Sequence, residues 1–311
     1  MKEIYAMNLY ELTVGSESDG ERLDIFINAF ISDLTRSHIQ KLIKSENVRV
    51  NNIIVTKPAY KINLEDRVIV DLPDAVELKI EAQDIPLDIL YEDDDVLVVN
   101  KPKGMVVHPA AGHFTDTLVN AIMFHCKDNL SGINGVLRPG IIHRIDKDTT
   151  GSLIICKNDF SHFFISEQLK EHSLGRVYKA IVIGNIKDDE GCINAPIGRN
   201  HTERKKMAVV PNGKEAITHY KVLERFPGYT FMEFRLETGR THQIRVHMSH
   251  IGHPLLGDEV YGGKNSTFKT EGQTLHAQAI SFIHPRTNER IAVEAPLPEY
   301  FNKILNKLRE K

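Results

Sequence analysis

Apolar positions recur at helical spacing in two early segments, residues 24–31 and 37–44, whose polar positions fall on the opposite arc. The second segment has two candidate N-caps, because Ser37 followed by Gln40 fits a capping box and Thr35 competes with it. The stretch VRVNNIIV follows, and its Asn-Asn pair predicts a tight turn between two short strands. The start of the chain is therefore predicted to form a small α+β domain.

Strand-type patterns dominate from residue 96 onward. DDVLVVNKPKGMVVHP predicts a strand, a turn and a second strand, and GSLIIC and RVYKAIVIG predict further short strands. Residues 230–237 alternate between apolar and charged positions, whereas 160–170 and 241–251 have helical spacing, with Phe163 among the inward positions of the first. No regular βαβ alternation is visible. The pattern predicts an α+β fold with a mixed, largely antiparallel sheet.

Charge is unevenly distributed along the 311 residues. The 39 basic and 42 acidic residues give a net charge of −3, which speaks against a nucleic-acid partner for the chain as a whole. However, Leu34–Lys61 carries six basic residues and one acid, and Asp84–Asp95 carries six acids and no base. The change of sign, together with a proline at each end of a stretch without a helical pattern, predicts a linker near residues 73–85. We expect two domains, 1–82 and 83–311.

The composition excludes several classes of protein. No apolar run is long enough to span a membrane, and the first twenty residues lack the pattern of a secretory signal. The three cysteines lie far apart and form no CxxC pair, which favours a cytoplasmic setting over a disulfide framework. P-loop, dinucleotide, GxSxG and HExxH motifs are missing from the sequence, so a nucleotide cofactor or standard hydrolase chemistry has no support.

The densest polar segment is HRIDKDTTG at residues 143–151, directly before an apolar strand. Charged loops at strand ends are favoured places for functional sites. Asp146 and Asp148 are two residues apart and share a side in extended backbone. The same pattern is typical of a solvated turn in which Asp148, Thr149 and Thr150 cap a bend, and the residues alone leave both interpretations open.

A second segment, Thr238–Gly257, contains no acid but two arginines and four histidines, a local positive strip of the kind that contacts phosphate. The spacing of His247, His250 and His253 also suggests a metal site. That interpretation is disfavoured because catalytic zinc sites usually include a carboxylate or a cysteine. The basic stretch RNHTERKKM at residues 199–207 is typical of a solvated loop and, beside an RNA site, of a phosphate contact.

The combination of segments is more specific than any one of them. RPGIIHRIDKDTTG at residues 138–151 resembles the signature of the RluA family of RNA pseudouridine synthases, as do KPKG, VHP, YKA, GRTHQIRVH and LHA in the same order. The resemblance covers nearly all of residues 85–300. Upstream, ERLD, the basic helix and VRVN resemble an S4-type RNA-binding module. HPAAG and residues 207–220 are most similar to the RluD-like branch, which acts on large-subunit ribosomal RNA.

The resemblance implies isomerisation of uridine to pseudouridine in RNA, without a cofactor or metal. It implies that Asp146 is the catalytic aspartate, that Tyr178 packs on the uracil and that Arg245 is the basic partner of the aspartate. It also implies that Leu275 lines the base pocket and that Arg144 enters the RNA as the target base leaves the stack. The expected substrate- and RNA-binding residues are Arg144, Leu275, His143, Lys41 and Lys44. We expect a monomer whose partner is ribosomal RNA.

The required chemistry agrees with these residue types. The reaction breaks an N-glycosidic bond, turns the uracil and rejoins it to the sugar through carbon 5. A carboxylate suits a nucleophile toward the sugar or toward carbon 6 of the ring, and the sequence leaves both routes open. Two rival functions are a non-catalytic RNA-binding ribosome-assembly factor and a metal-dependent hydrolase built on the histidines. The first would be indicated by loss of Asp146, Tyr178 or Arg245, all of which are present.

Overall fold

The computed structural model describes residues 2–6, 9–31, 34–72, 80–109, 113–127, 129–133, 139–200, 202–203, 206–263, 268, 270 and 272–310. Parts of the predicted motifs, 110–112, Arg138, His201 and 204–205, lie outside these residues, as do residues 73–79 of the predicted linker. Contacts divide the chain into two compact units, Met1–Leu78 and Lys79–Lys311. The domain boundary after residue 82 stays a prediction.

The first unit is a small α+β domain. Its sheet has the strand order β1-β2-β5-β3-β4, and apolar side chains of its two α-helices share one buried core with side chains of the sheet. The elements are β1 (Lys2–Ala6), β2 (Leu9–Thr13), a 3-10 turn (Ser16–Ser18), α1 (Leu23–Phe30), α2 (Arg36–Lys44), β3 (Val48–Val50), β4 (Ile53–Ile54) and β5 (Arg67–Asp71). Asn51 and Asn52 form the predicted turn, with φ angles of 50° and 68°.

A buried carboxylate joins the two helices of this unit. Asp24, at the start of α1, accepts hydrogen bonds from Nε of Arg22 at 2.9 Å, Nε of Arg36 at 3.2 Å and Nε2 of Gln40 at 2.6 Å. Burial acts to raise the pKa of Asp24, but these donors outweigh it and lower the pKa to about 2. Because Gln40 is engaged there, the capping box expected with Ser37 is wrong, and Thr35 caps α2 instead.

The second unit is built around one large sheet. In the described part of the chain, nine strands form it, eight of them in the order β10-β13-β14-β9-β15-β8-β7-β6, with β16 paired to β15. The elements are β6 (Ile89–Glu92), β7 (Val96–Lys101), α3 (Leu118–Cys126), β8 (Thr150–Cys156), α4 (Asp159–Lys170), β9 (Gly175–Ile183), β10 (Glu190–Asn194), β11 (Ile197–Arg199), β12 (Met207–Val209), β13 (Ile217–Phe226), β14 (Tyr229–Leu236), α5 (Gln243–His250), β15 (Leu275–Ile283), β16 (Arg290–Glu294) and α6 (Glu299–Arg309).

The sheet is largely antiparallel, as the sequence predicts. Among the described strands, β15 and β8 form the one parallel pair, with His276 opposite Thr150 and Ala277 opposite Gly151. At this point the two backbones approach closely, and a Cβ on Gly151 would collide with the backbone oxygen of Ala277. Gly151 also has a φ of 109°, so the position requires glycine for two reasons.

Both faces of the central strands are covered, which explains their continuous apolar runs. Leu97 and Leu153 face a core shared with α3, whereas Val96 and Ile154 face a core shared with Ile165 of α4. Every residue of β8 is buried. In the described part of the chain, no helix has the length and apolar character needed to cross a membrane.

Two further local predictions are wrong. The segment after KPKG is not a strand, because the backbone oxygens of Val106 and Val107 accept the N–H groups of Leu118 and Val119 at the start of α3. Phe163 is not inward-facing but 67% exposed. The buried face of α4 combines Ile165 with polar residues, including Gln168, which exchanges hydrogen bonds with the backbone of Ile283.

Candidate active site

The loop that carries Asp146 is anchored by a buried lysine. Lys101, at the end of β7, is fully buried, and its ammonium donates to the backbone oxygens of Pro102, Met105 and Lys147 at 2.7, 2.8 and 2.9 Å. These three acceptors match the three donors of an ammonium group. The contact to residue 147 fixes the backbone directly after Asp146, so the aspartate has a defined position.

The guanidinium of Arg245, on α5, joins two carboxylates. Its Nη1 donates to Oδ2 of Asp146 at 2.9 Å. Its Nε and Nη2 donate to the two carboxylate oxygens of Asp258 at 2.6 and 2.9 Å. Asp258 is buried and also accepts the backbone N–H groups of Val260 and Tyr261. This bidentate pair sets the plane of the guanidinium, so that the remaining Nη1 is directed at Asp146.

The arrangement places one positive charge between two carboxylates. Burial opposes the charged form of Arg245, but the hydrogen bonds and charges of Asp258 and Asp146 outweigh it, and the pKa of Arg245 is raised. The guanidinium of Arg245 thus presents a fixed positive charge and a hydrogen-bond donor to Oδ2 of Asp146, which orients that side chain. The side chain of Asp146 is 18% exposed and lines a cavity.

His242 faces Asp146 from the other side. Its Nε2 lies 3.8 Å from Oδ1 of the aspartate, and its Nδ1 lies 2.8 Å from the hydroxyl of Tyr261. That hydroxyl also accepts the backbone N–H of Met207 at 3.0 Å and keeps its own proton as a donor for Nδ1. In the neutral tautomer that accepts this proton, the N–H of His242 is on Nε2, the nitrogen nearer to Asp146. Burial lowers the pKa of His242, more than the charge of Asp146 raises it.

A cavity of about 510 Å³ opens in front of these residues, a size typical of sites for nucleotide-sized ligands. Tyr178 from β9 and Leu275 from β15 contribute to its wall, and both are buried. Burial raises the pKa of the Tyr178 hydroxyl, which keeps the tyrosine neutral. Leu275 supplies an apolar surface and Tyr178 an aromatic one within the cavity that Asp146 faces.

The two residues before Ile145 differ in their surroundings. His143 lines the cavity, and its Nε2 accepts the backbone N–H of Ile154 at 3.3 Å. Burial, helped by the charge of Arg176, lowers the pKa of His143 to about 3, so the ring stays neutral. Arg144 is exposed at the rim, with Nη1 3.5 Å from Nε2 of His108. Its position suits a side chain that meets RNA outside the cavity.

A family model described as RNA pseudouridylate synthase matches residues 95–250, and the S4-domain model matches residues 21–68. The first match includes Asp146, Tyr178 and Arg245. The chain belongs to the RNA pseudouridine synthase family. The resemblance seen in the sequence is thereby confirmed, and the activity of this pseudouridine synthase is isomerisation of uridine to pseudouridine in RNA.

The pseudouridine synthase has similar relatives in bacteria. It is 51% identical to the uncharacterised RNA pseudouridine synthase YlyB of Bacillus subtilis, over 98% of this chain and 99% of the relative. It is 43% identical to ribosomal large subunit pseudouridine synthase D of Pseudomonas aeruginosa, over 94% of each chain. A solved structure, human RNA pseudouridylate synthase domain containing 4, is 26% identical with a TM-score of 0.56, covering 71% of this chain and 92% of that one.

The S4 match places the two predicted RNA-binding lysines in a domain of known type. Lys41 and Lys44 are both exposed on α2. They belong to the first unit, whereas all residues that line the cavity belong to the second. The sequence therefore predicts binding residues in both units of this pseudouridine synthase and catalytic residues in the second.

Three residues of the site were not found from the sequence. Asp258 is hydrogen-bonded to Arg245, and Tyr261 is hydrogen-bonded to His242. Arg176 lines the cavity two residues before Tyr178. One signal was available for Asp258, because it is the first acid after the acid-free strip Thr238–Gly257 and is thus placed to neutralise an arginine of that strip.

The histidines of the segment Thr238–Gly257 have separate hydrogen-bond partners. Both ring nitrogens of His247 are hydrogen-bonded, to Thr218 and to the backbone oxygen of Ala195, and Nδ1 of His253 lies 3.0 Å from the backbone oxygen of Ile183. In the described ranges, these histidines do not form a cluster of metal-ligating atoms. The geometry gives the metal-dependent hydrolase no support.

Proposed function

We propose that this pseudouridine synthase modifies uridine in large-subunit ribosomal RNA, with Asp146 as its catalytic carboxylate. The observation that carries the role of Asp146 is its contact with Arg245, which Asp258 holds from behind, at the wall of a cavity large enough for a nucleoside. The ribosomal substrate is supported by relatives over nearly the whole chain that are named ribosomal large subunit pseudouridine synthase D.

In this proposal the target uridine is extruded from the RNA into the cavity, because its reacting atoms are inaccessible within a stack. Arg144 at the rim occupies the space that the base leaves. Tyr178 packs against the uracil, and this contact offsets part of the few kcal/mol that extrusion costs. Asp146 then attacks C1′ of the sugar with N1 of the uracil as the leaving group, or attacks C6 of the ring before the N1–C1′ bond breaks. The bond to Asp146 breaks in turn, C5 loses its proton after it joins C1′, and N1 gains a proton, so the product is an isomer of the substrate. The buried walls keep the detached uracil away from water until C5 bonds to the sugar.

The residues proposed for catalysis, Asp146, Tyr178 and Arg245, all belong to the second unit. We further propose that the enzyme is a monomer and needs no metal for this step. We place it in the cytoplasm, which agrees with the three free cysteines Cys126, Cys156 and Cys192.

The ribosomal substrate is tested by mapping pseudouridines in RNA from cells that lack this protein. We expect one or more sites in large-subunit ribosomal RNA to revert to uridine. Complementation with the wild-type chain should restore them, and complementation with the Asp146→Asn variant should not. An unchanged ribosomal RNA with sites lost from transfer RNA would overturn the ribosomal assignment while leaving the isomerase activity intact.

A second test concerns the first unit. The Lys41→Ala/Lys44→Ala double variant should bind substrate RNA roughly tenfold more weakly at low salt, because two phosphate contacts are lost. The slope of log affinity against log salt should fall by about 1.4 to 1.8. Titrations at several salt concentrations measure both quantities. The matched control is Lys303→Ala/Lys307→Ala, which removes two exposed lysines from α6. Equal slopes in the two double variants would show that α2 does not contact phosphate.

A further inference from the structure

Arg176 is a buried cation without a buried counter-charge. It lies on β9, is 6% exposed and lines the cavity. Its one hydrogen bond within the described part of the chain runs from Nη2 to the backbone oxygen of Glu237, at 3.0 Å. Its Nε has no hydrogen-bond partner there. A guanidinium with this little compensation is costly to bury, which points to a missing acceptor.

The surroundings of Arg176 are built to hold the guanidinium in place. Alternation along β9 puts Arg176 on the same face as Tyr178, two residues away. On the other side, a Cβ on Gly239 would lie 2.6 Å from Nη1 of Arg176, so the glycine of GRTHQ leaves the room that the guanidinium occupies. The arginine is therefore fixed between the aromatic residue of the cavity and the turn that leads to α5.

The other charged groups of the cavity have assigned partners. Arg245 is paired with Asp146 and Asp258, and Nε of Arg240 donates to the backbone oxygen of Glu215 at 2.8 Å. Asp146 is the one carboxylate among the described lining residues, and it is engaged with Arg245. No described lining residue supplies an acceptor to Nε of Arg176, which leaves this donor available to a ligand in the cavity.

The burial of Arg176 in the cavity indicates which part of the RNA supplies its hydrogen-bond acceptor. A backbone phosphate remains hydrated and meets exposed residues such as Arg144 at the rim. A flipped base enters the cavity and reaches buried residues such as Tyr178 and Leu275. Arg176 is buried to the same extent as Tyr178 and Leu275, so it is placed to meet the flipped base.

We propose that Arg176 is a further catalytic residue, which donates a hydrogen bond to a carbonyl oxygen of the flipped uracil and stabilises the negative charge that develops there. This inference rests on the proposed function, because it places the uracil in the cavity beside Tyr178. Removing one such donor from an active site typically costs on the order of 10² to 10³ in rate.

The charge arises in both routes open to Asp146. If a carboxylate oxygen bonds to C1′ as the N1–C1′ bond breaks, the bonding pair stays on N1 and is shared by conjugation with O2 and O4. If it bonds to C6, the π pair of C5=C6 moves toward C5 and O4. Arg176 stays protonated in each case and transfers no proton. A half-turn of the ring that exchanges N1 and C5 also exchanges O2 and O4, so a fixed donor meets a carbonyl oxygen before and after the turn.

The test combines a protein change with an atomic change in the substrate. Single-turnover rates are measured at saturating enzyme on an RNA that the wild type modifies, with uridine, 2-thiouridine or 4-thiouridine at the target position. The wild type should be slowed by at least one thio substitution, because sulfur is the weaker hydrogen-bond acceptor. Arg176→Met should react about 10²-fold more slowly on uridine and be almost insensitive to the same thio substitution. RNA affinity should change less than threefold.

Controls separate this role from a structural one. Lys179→Met removes a neighbouring cation from the opposite face of β9 and should keep the wild-type rate and thio effect. If Arg176→Met does not fold, Arg176→Lys replaces it and should show a reduced thio effect.

Equal thio effects in wild type and Arg176 variants would overturn the proposal. So would a normal rate on bound RNA with a salt slope lowered by about one contact, which would assign Arg176 to a phosphate. A wild type inactive on ribosomal RNA would instead contradict the substrate, not Arg176.

Discussion

Replacing Asp146 with asparagine will abolish pseudouridine formation while leaving the fold intact. The amide is the same size as the carboxylate, and Asp258 still fixes the guanidinium of Arg245 through two hydrogen bonds. The variant lacks the nucleophile, so we expect a loss on the order of 10⁴-fold or more. Tritium release from RNA labelled at C5 of uridine measures the reaction directly.

Two further measurements make the Asp146 result decisive. RNA affinity and the midpoint of thermal unfolding should stay close to those of the wild type, because no buried charge is left without a partner. The matched control is Asp148→Asn, which changes the neighbouring carboxylate of the same loop and should retain tritium release within tenfold. Turnover near the wild-type level in Asp146→Asn would contradict the assignment of this residue.

The second large effect is expected for Arg245→Lys. Lysine keeps the charge but cannot form the planar three-contact arrangement that joins Asp146 to Asp258. One of the two carboxylates then loses its partner, and we expect a rate lower by about 10²-fold and a free energy of unfolding lower by about 2–3 kcal/mol. Single-turnover kinetics and urea unfolding measure the two effects.

The control for Arg245→Lys is Arg235→Lys on β14, where the side chain is 71% exposed and pairs with Glu233. That pair should contribute less than about 1 kcal/mol, and both rate and stability should remain unchanged. If Arg245→Lys behaves like Arg235→Lys, the geometry of the guanidinium is not needed for the reaction, and only its charge contributes.

Local patterns predicted local structure well where one physical cause dominated. The alternation over β14 and the turn at Asn51 and Asn52 follow from period-two burial and from the tolerance of asparagine for positive φ. The cap of α2 was ambiguous in the sequence, because Ser37 and Gln40 fit a local motif. Gln40 donates a hydrogen bond to Asp24, which is distant in sequence, so Gln40 does not complete a capping box and Thr35 caps α2.

The wrong predictions for Phe163 and for the segment after KPKG also arise from contacts between residues that are distant in sequence. The inward position expected for Phe163 assumed that an apolar residue defines the buried face. In α4 that face contains Ile165 and also Gln168, whose hydrogen bonds to the backbone of Ile283 hydropathy does not reveal. Likewise, an apolar run after KPKG looked like a strand, but its carbonyl groups serve the first turn of α3.

The site itself was reached through the family resemblance and not through spacing. Asp146 and Arg245 are 99 residues apart, and nothing in the periodicity of either segment places them in contact. Arg176 and Tyr261 gave no signal, because a lone arginine in a strand and a lone tyrosine in a loop are common. Their roles depend on long-range contacts that only the folded chain shows.

The position of β15 governs when the enzyme becomes active during its synthesis. This strand lies between β8 and β9, yet it is translated after both, and its partner residue Thr150 precedes His276 by 126 positions. A nascent chain that has emerged only as far as β14 holds two separate sheet fragments, each with an open edge. The part of the cavity wall formed by Leu275 is missing. Strands β8 and β9, which follow Asp146 and carry Tyr178, are not yet joined by β15. Translation through β15 thus precedes the first catalytic turnover.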